Sequence, residues 1–127
     1  MDPVIVGLQD RIEEYLKQLD IPVQPLSLYE PVRYMLSLGG KRMRPVLVLL
    51  ANKMFDGKAE TAFPAAAGIE VFHNFTLLHD DIMDNAPLRR GKPTVHEKWN
   101  ADIAILSGDA MFVKSCQLMM QSPISAM

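Results

Sequence analysis

Three carboxylates, Asp80, Asp81 and Asp84, end an apolar stretch that has a helical pattern and begins near residue 69. Residues four apart lie on the same face of an α-helix, so Asp80 and Asp84 project together while Asp81 points elsewhere. Two hard oxygen donors one turn apart suit a divalent cation such as Mg²⁺, which keeps some waters and takes further ligands from a phosphate. His73 precedes Asp80 on the same stripe by about two turns, or roughly 10 Å. The alternative interpretation is a solvated helix end without a ligand.

Cationic side chains cluster in two short segments that also contain glycine and proline. Six of the 13 lysines and arginines lie there: Lys41, Arg42, Arg44, Arg89, Arg90 and Lys92. Arginine binds phosphate oxygens bidentately and lysine acts as a point charge for the same group. The first segment leads into a predicted helix N-terminus, which favours anions. Acids for a metal and two cationic loops therefore indicate two phosphorylated ligands, one held through the metal and one held directly.

Each of these features also has a structural interpretation that involves no ligand. The first segment could solvate a turn, and Arg89 and Arg90 could form a surface ion cluster with the acids, worth about 0–1 kcal/mol. A single histidine on an apolar helix, such as His73, is more often a core residue than a ligand-binding one. The conjunction of the features is what favours a binding site.

Composition limits the functions that the chain could have. The 127 residues are 49% hydrophobic and 22% charged, which is ordinary for a globular protein and leaves room for one domain at most. The net charge of -2 gives no electrostatic case for nucleic acid. Cys116 is the single cysteine, so no intrachain disulfide or cysteine-rich zinc site is possible in this sequence. The first residues lack a signal-peptide pattern, and the longest aliphatic run is six residues, Val46–Ala51. We expect a cytoplasmic protein without a membrane span.

The elements that position these groups read as helices. Apolar residues recur at helical spacing, prolines 31, 45 and 64 suit first turns, and Thr94 with Glu97 forms a capping-box pattern. Residues 86–93 read as a basic loop, and no segment alternates long enough for a strand. The pattern predicts an all-α chain with five to seven helices, six of them placed at residues 4–19, 31–38, 45–54, 64–84, 95–100 and 103–121.

Four segments resemble the trans-prenyltransferases, the polyprenyl or isoprenyl diphosphate synthase family. They occur in the family's order and match its GGKRxRP turn, its first aspartate-rich DDxxD motif, its RRGxPT segment and its GDxL-type helix: Gly39–Pro45, His79–Asn85, Arg89–Thr94 and Gly108–Ala110. The resemblance implies an antiparallel helical bundle of the isoprenoid synthase type. It also implies an enzyme that condenses isopentenyl diphosphate with an allylic diphosphate, and a homodimer.

Carried over position by position, the resemblance implies a role for each matching residue. Asp80 and Asp84 resemble the Mg²⁺ ligands, with Asp81 as their neighbour outside the coordination shell. Arg89 resembles the contact to the allylic diphosphate. The remaining cationic positions resemble the residues that bind isopentenyl diphosphate: Lys41, Arg44, His73 and Arg90.

Product length is implied by the family alone. The residues four and five before the first motif, here Thr76 and Phe75, floor the pocket for the growing prenyl tail in this family. An aromatic residue at the fifth position resembles the short-chain synthases that make farnesyl or geranylgeranyl products. The motif also lacks a two-residue insertion found in many bacterial farnesyl-type enzymes, which favours geranylgeranyl diphosphate.

One element of the family pattern is missing, namely a second aspartate-rich motif on a later helix. Asp102 and Asp109 are isolated acids, and nothing after Arg90 resembles that motif. We therefore expect residues 1–127 to be the N-terminal part of a single prenyltransferase domain, incomplete as a bundle and inactive alone. The alternatives are a non-catalytic helical binding or regulatory chain and a class I terpene cyclase. A cyclase has no need of an isopentenyl diphosphate site, so the predicted cations argue against it.

Overall fold

The computed structural model describes residues 2–55 and 57–121, which form six α-helices and one short β-hairpin. In chain order the elements are α1 (Pro3–Lys17), α2 (Leu26–Ser37), α3 (Met43–Met54), α4 (Ala59–Met83), β1 (Leu88–Arg89), β2 (Lys92–Pro93), α5 (Val95–Lys98) and α6 (Ala101–Met120). The prediction of an all-α chain with five to seven helices is confirmed. The short hairpin was not predicted, since each strand has only two residues.

Two helices begin five residues earlier than their prolines indicated. Pro31 lies inside α2 and Pro64 lies inside α4, so the prediction that each proline occupies a first turn was wrong. A proline in the second turn removes one backbone hydrogen bond but leaves the rest of the helix intact. Pro31 is buried, as are the three apolar residues Val32, Met35 and Leu36 that follow it on α2. Pro45, by contrast, does lie in the first turn of α3, as predicted.

The contacts divide the described chain into two compact units. The first unit comprises residues 2–19, 40–55, 57–70 and 114–121, so it contains α1, α3, the first part of α4 and the last part of α6. Asp2 caps α1 by accepting a hydrogen bond from the backbone N–H of Val4 at 2.8 Å. Helix α1 packs against α3, with Ile12 and Leu16 of α1 fully or almost fully buried.

The second unit comprises residues 20–39 and 71–113 and contains the acidic end of α4. Helix α2 packs against α5, where the rings of Tyr34 and Trp99 meet edge-on with centroids 5.3 Å apart. The hydroxyl of Ser107 donates to the carbonyl oxygen of Leu28 at 2.8 Å and so joins α6 to α2. The side chain of Asn100 accepts from the N–H of Ile103 at 2.8 Å, which begins α6 two residues earlier than the apolar pattern predicted.

Helix α6 is the one helix among the described residues that is long and apolar enough to cross a membrane by length and composition. A third of its most apolar window is buried within the protein. Core helices of water-soluble proteins meet the same criterion, so this finding is weak evidence by itself. The longest aliphatic run of the sequence, Val46–Ala51, lies in α3 and not in α6.

Candidate active site at the acidic end of helix α4

Helix α4 ends in the three acids, and their environments differ. The backbone N–H of Asp84 donates to the carbonyl oxygen of Asp80 at 2.8 Å, so the helical hydrogen-bond pattern extends one residue beyond Met83. Asp80 and Asp84 are both exposed, whereas Asp81 is buried to 5% exposure. Within the described residues, neither exposed carboxylate accepts a hydrogen bond or forms an ion pair. The prediction that Asp81 points away from the other two acids is therefore confirmed.

Asp81 is instead bound by Arg89, which approaches from strand β1. The guanidinium donates through Nε at 2.8 Å and through Nη2 at 2.7 Å, one bond to each carboxylate oxygen. Side-chain exposure is 22% for Arg89 and 8% for Asp81, so the pair is largely shielded from water. The hydrogen bonds to Asp81 raise the pKa of Arg89, with a further contribution from the charges of Asp81 and Asp80. Arg89 therefore stays cationic and is held beside the exposed acids.

The hairpin that carries Arg89 and Arg90 is fixed at both ends. Its turn residues, Arg90 and Gly91, have φ of 52° and 78°, the left-handed pair that a tight two-residue hairpin turn requires. After the hairpin, the hydroxyl of Thr94 donates to the carbonyl oxygen of Ala86 at 2.8 Å. The hydroxyl of Tyr34 donates to the carbonyl oxygen of Pro93 at 2.6 Å. Arg90 lies at the turn and is exposed.

The capping-box prediction at Thr94 is wrong in one respect. Thr94 occupies the N-cap of α5, and its carbonyl oxygen accepts from the backbone N–H of Glu97 at 3.1 Å. Its side chain, however, makes no capping hydrogen bond to α5. The buried hydroxyl instead donates to the carbonyl oxygen of Ala86. Thr94 thus closes the loop that presents the two arginines.

The predicted metal ligands, Asp80 and Asp84, have chemistry that suits Mg²⁺. Asp80 and Asp84 offer hard oxygen donors on exposed side chains that no cation among the described residues occupies. Asp81, by contrast, has both oxygens engaged by Arg89. No group of three or more histidine, cysteine or acidic side chains that could hold a metal occurs in the described ranges. Two carboxylates without a third protein ligand suit Mg²⁺, which retains waters and takes oxygens from a bound phosphate.

The other predicted site residues of the second unit lie earlier on α4. His73 and Thr76 are half-buried, and the hydroxyl of Thr76 donates to the carbonyl oxygen of His73 at 2.6 Å. Phe75 is half-buried and joins an aromatic cluster, its ring centroid lying 4.5 Å from His79, 5.4 Å from Phe112 and 5.7 Å from Phe72. The structure thus places Phe75 among aromatic rings rather than on the face of the exposed acids, in agreement with the helical spacing.

The first cationic segment belongs to the first unit. Lys41 and Arg44 are exposed on either side of Arg42, which opens α3. Arg42 itself is only 3% exposed, and it pairs with Glu13 through Nε and with Glu70 through Nη1, both at 2.6 Å. Grouping Arg42 with the exposed cations of this loop was therefore wrong. Burial by itself lowers the pKa of Arg42, but the hydrogen bonds and charges of the two glutamates outweigh that effect and raise it.

Sequence reasoning missed the partners of these cations. Glu13 and Glu70 lie 29 and 28 residues from Arg42 in the chain, so no local spacing connects them. A weak signal was available for Glu70, which is an acid on an otherwise apolar stretch of α4 and therefore needs a buried partner. The described second unit contains Asp80, Asp84, Arg89, Arg90, His73, Phe75 and Thr76, and the first unit contains Lys41 and Arg44.

Comparison with known proteins agrees with the all-α fold and gives the family of the chain. The family model described as Polyprenyl synthetase matches residues 25–127. Geranylgeranyl diphosphate synthase from Sulfolobus acidocaldarius is 42% identical over 119 residues, which are 94% of this chain and 34% of that protein.

Two solved structures give the same result for the fold. A geranylgeranyl pyrophosphate synthase matches with a TM-score of 0.91 and 48% identity, over 98% of this chain and 38% of the other. A geranyltransferase from Legionella pneumophila matches with a TM-score of 0.87 and 38% identity, over 92% of this chain and 42% of the other.

Fold and site thus define the class of protein: an all-α chain with an exposed acid pair and two cationic loops. The chain belongs to the polyprenyl synthetase family. It spans about a third of the length of the curated relatives that it matches.

Proposed function

We propose that the gene product to which this chain belongs is a trans-prenyltransferase that condenses isopentenyl diphosphate with an allylic diphosphate. The observation that carries the proposal is the difference in environment among the three acids. Asp80 and Asp84 are exposed and unpaired within the described residues, whereas Asp81 holds Arg89 next to them. Relatives named geranylgeranyl diphosphate synthases support the same reaction class.

In this proposal Asp80 and Asp84 hold Mg²⁺, which when bound supplies Lewis-acid stabilisation of the departing diphosphate. Arg89 uses two of its five N–H donors on Asp81, which leaves three for oxygens of the allylic diphosphate. The C–O bond to that diphosphate breaks, the double bond of isopentenyl diphosphate attacks the resulting carbocation, and a proton is lost. Arg89 stabilises the negative charge that develops on the leaving diphosphate.

The remaining cationic residues are proposed to bind isopentenyl diphosphate. Lys41 and Arg44 are exposed beside the N-terminus of α3, whose dipole favours an anion. Arg90 is exposed at the hairpin turn, and His73 is half-buried on α4. A diphosphate carries more negative charge than one cation neutralises, so a set of several cationic groups suits it.

Residues 1–127 are proposed to be the N-terminal part of one prenyltransferase domain and to be inactive alone. Asp80 and Asp84 supply only two protein ligands to the metal, and the chain contains no second aspartate-rich motif. The chain also covers only 34% of the Sulfolobus relative. Since residues 1–127 supply only the ligands of the first motif, ionisation of the allylic diphosphate is expected to fail in this piece.

A short-chain product, geranylgeranyl or farnesyl diphosphate, is proposed from Phe75 and Thr76. Phe75 is held by the rings of Phe72, Phe112 and His79, so its side chain is a rigid obstacle rather than a mobile one. A rigid ring limits the length of an apolar tail that grows towards it. Thr76, which is smaller, has its hydroxyl engaged by the backbone.

A homodimer is also proposed, and exposed apolar side chains on α6 support it. Leu106 is 58% exposed and Val113 is 54% exposed, on a helix that is otherwise strongly apolar. Apolar side chains at such positions are commonly covered by another surface. A cytoplasmic location is a further proposal, made from the sequence alone; relatives from Catharanthus roseus and Arabidopsis thaliana are named as chloroplastic.

The experiment compares the complete gene product with residues 1–127 in the presence of Mg²⁺. Both are incubated with isopentenyl diphosphate and each of three allylic diphosphates (dimethylallyl, geranyl and farnesyl), and the products are identified by mass spectrometry. Product from the complete protein, with none from residues 1–127, supports the proposal. No product from either, when circular dichroism shows both to be folded, would overturn it and favour a non-catalytic binding chain. Product from residues 1–127 alone would overturn the proposed inactivity of this piece.

Asp80→Ala provides the site-specific arm of that experiment. In the complete protein it should lower turnover by several orders of magnitude without unfolding, since it removes one of two metal ligands from this helix. Asp10→Ala is the matched control, because Asp10 is an exposed acid on α1. Turnover within a few-fold of the unmodified protein for Asp80→Ala would show that the metal assignment is wrong.

A further inference from the structure

A buried ion-pair cluster lies beneath the first cationic segment and has no part in the proposed chemistry. Arg42 lies between Glu13 of α1 and Glu70 of α4, with a 2.6 Å contact to each. The side chains of Arg42 and Glu70 are only 1% and 5% exposed, whereas that of Glu13 is 35% exposed. All three residues belong to the first unit. We call these residues the Arg42 clamp.

Arg42 is held in a backbone conformation that a non-glycine residue rarely adopts. Its φ of 54° and ψ of 35° place it in the left-handed region. Such a conformation is strained and persists only where the surrounding structure determines it. The two charge-assisted hydrogen bonds provide that determination, because they fix the direction in which the side chain leaves the backbone.

The clamp lies between two exposed cations of the segment. Arg42 is buried, the exposed Lys41 directly precedes it, and the exposed Arg44 follows two residues later. The carbonyl oxygen of Arg42 accepts the N–H of Val46 at 3.2 Å, so the same residue also begins α3. The side chain of Gln9 donates to the carbonyl oxygen of Lys41 at 2.7 Å and adds a second tether to α1. The segment is therefore tied to α1 at Lys41, and to α1 and α4 at Arg42.

The clamp itself offers nothing to an anionic ligand. One guanidinium faces two carboxylates, so the cluster carries a net charge of about -1 when all three groups are ionised. Its guanidinium is also shielded from water and from any ligand in solution. Direct binding of a diphosphate by Arg42 would require both ion pairs to break, which buried pairs resist strongly.

We propose that Arg42 is a positioning residue: through Glu13 and Glu70 it fixes the 40–44 backbone so that Lys41 and Arg44 are pre-oriented for the diphosphate of isopentenyl diphosphate. The proposal rests on the proposed function for the identity of the ligand. Pre-orientation lowers the ordering entropy lost on binding, so its effect belongs to affinity for that one substrate. The allylic diphosphate, assigned to Asp80, Asp84 and Arg89, should be unaffected.

The test measures steady-state kinetics of Arg42→Gln, Arg42→Lys and Glu70→Gln in the complete gene product. Arg42→Gln should raise the KM for isopentenyl diphosphate by about tenfold, roughly the loss of one charge-assisted hydrogen bond. The KM for the allylic diphosphate and kcat should stay within twofold. Arg42→Lys keeps the charge but not the planar fork, so it should rescue only part of the effect. Glu13→Gln should act more weakly than Glu70→Gln, since Glu13 is half-exposed.

Two matched controls accompany these variants. Arg11→Gln removes an exposed arginine of the same unit, whose guanidinium lies 5.0 Å from the centroid of the Phe63 ring rather than near residues 40–44. Glu14→Gln removes an exposed glutamate adjacent to Glu13. Both should leave the two KM values unchanged. A merely structural role for Arg42 predicts a different result, namely a loss of active protein that lowers kcat and leaves both KM values alone, and this result would overturn the proposal.

Amide hydrogen exchange tests the positioning role of Arg42 independently of the proposed prenyltransferase function. Arg42→Gln should accelerate exchange at residues 40–44 by more than about tenfold, since local opening no longer breaks the ion pairs. Exchange in the hairpin at residues 88–93 should be unchanged. If the unmodified protein neither turns over nor binds isopentenyl diphosphate, yet Arg42→Gln accelerates this exchange, the proposed function fails and the clamp stands. If the unmodified protein is active and Arg42→Gln changes neither this exchange nor the KM for isopentenyl diphosphate, the clamp is refuted and the proposed function stands.

Discussion

Replacing the three acids of α4 one at a time by asparagine should separate metal binding from folding. Asparagine keeps the shape of aspartate but removes the charge, so each substitution tests the carboxylate alone. Asp81→Asn breaks a bidentate pair with Arg89 that is 8% and 22% exposed at its two side chains. Asp80→Asn and Asp84→Asn remove exposed carboxylates that have no ion-pair partner in the described part of the chain.

The expected loss of stability follows from the burial of the pair. A fully exposed ion pair contributes about 0–1 kcal/mol, and removing one partner of a buried pair costs about 3–5 kcal/mol. The Asp81–Arg89 pair lies between these limits, and asparagine retains one acceptor oxygen. We therefore expect Asp81→Asn to lower the free energy of unfolding by about 2 kcal/mol. Asp80→Asn and Asp84→Asn should stay within about 0.5 kcal/mol.

Ligand binding should show the opposite order. Isothermal titration with inorganic diphosphate in the presence of Mg²⁺ measures it in the complete gene product, alongside urea denaturation of the same samples. Asp80→Asn and Asp84→Asn should weaken binding by about tenfold or more, since mutation of even the outer partners of metal ligands costs about 10–100-fold. Asp81→Asn should weaken it less. The reasoning is refuted if Asp81→Asn abolishes binding at unchanged stability, or if Asp80→Asn destabilises the fold as much as Asp81→Asn does.

Two further substitutions test packing and product length. Gly68→Ala should destabilise the fold by about 0–2 kcal/mol, because overpacking outweighs a gain of about 1 kcal/mol in helix propensity; a Cβ there would lie 3.0 Å from the backbone oxygen of Ser115. Gly7→Ala is the matched control, since nothing lies within 4 Å of a Cβ at Gly7, and urea denaturation should show stabilisation by about 0.5–1 kcal/mol. If both substitutions stabilise, the close packing at Gly68 is not as described. Phe75→Ala in the complete gene product should shift the products to longer prenyl chains in mass spectrometry, because it removes the ring proposed to stop the tail. Phe55→Ala removes an exposed ring at the end of α3, outside this cluster, and should leave the product unchanged; equal products from Phe75→Ala and the unmodified protein would contradict the proposed role.

Features that depend on local geometry could be predicted from the sequence. The four-residue spacing of Asp80 and Asp84 is a property of any α-helix, and the structure confirms both the helix and the different environment of Asp81. Helix number and class followed from apolar periodicity in the same way. Boundaries were less predictable, because a proline marks a first turn only on average. Pro31 and Pro64 lie in second turns, where one lost hydrogen bond does not outweigh the packing of the helix.

Features that depend on distant contacts could not be predicted. Thr94 matched a local capping pattern, yet its hydroxyl donates to Ala86, eight residues earlier. The acceptor lies in the loop before the hairpin, outside the helix that the capping pattern describes. A capping pattern specifies where a helix begins, and the structure confirms this for Thr94, but it does not specify where the side-chain hydrogen bond goes.

The two cationic segments show that distant contacts also limit what the sequence predicts about function. Each segment contains an arginine that pairs with acids of the protein: Arg42 with Glu13 and Glu70, and Arg89 with Asp81. Sequence alone counts these arginines equally with their exposed neighbours. The structure distinguishes them by the donors that remain, because Arg42 is fully enclosed whereas Arg89 keeps three N–H groups and 22% exposure. An ion pair in such a loop can therefore act in either of two ways. A fully enclosed pair fixes the backbone for other cations, whereas a partly exposed pair fixes the arginine itself for a ligand.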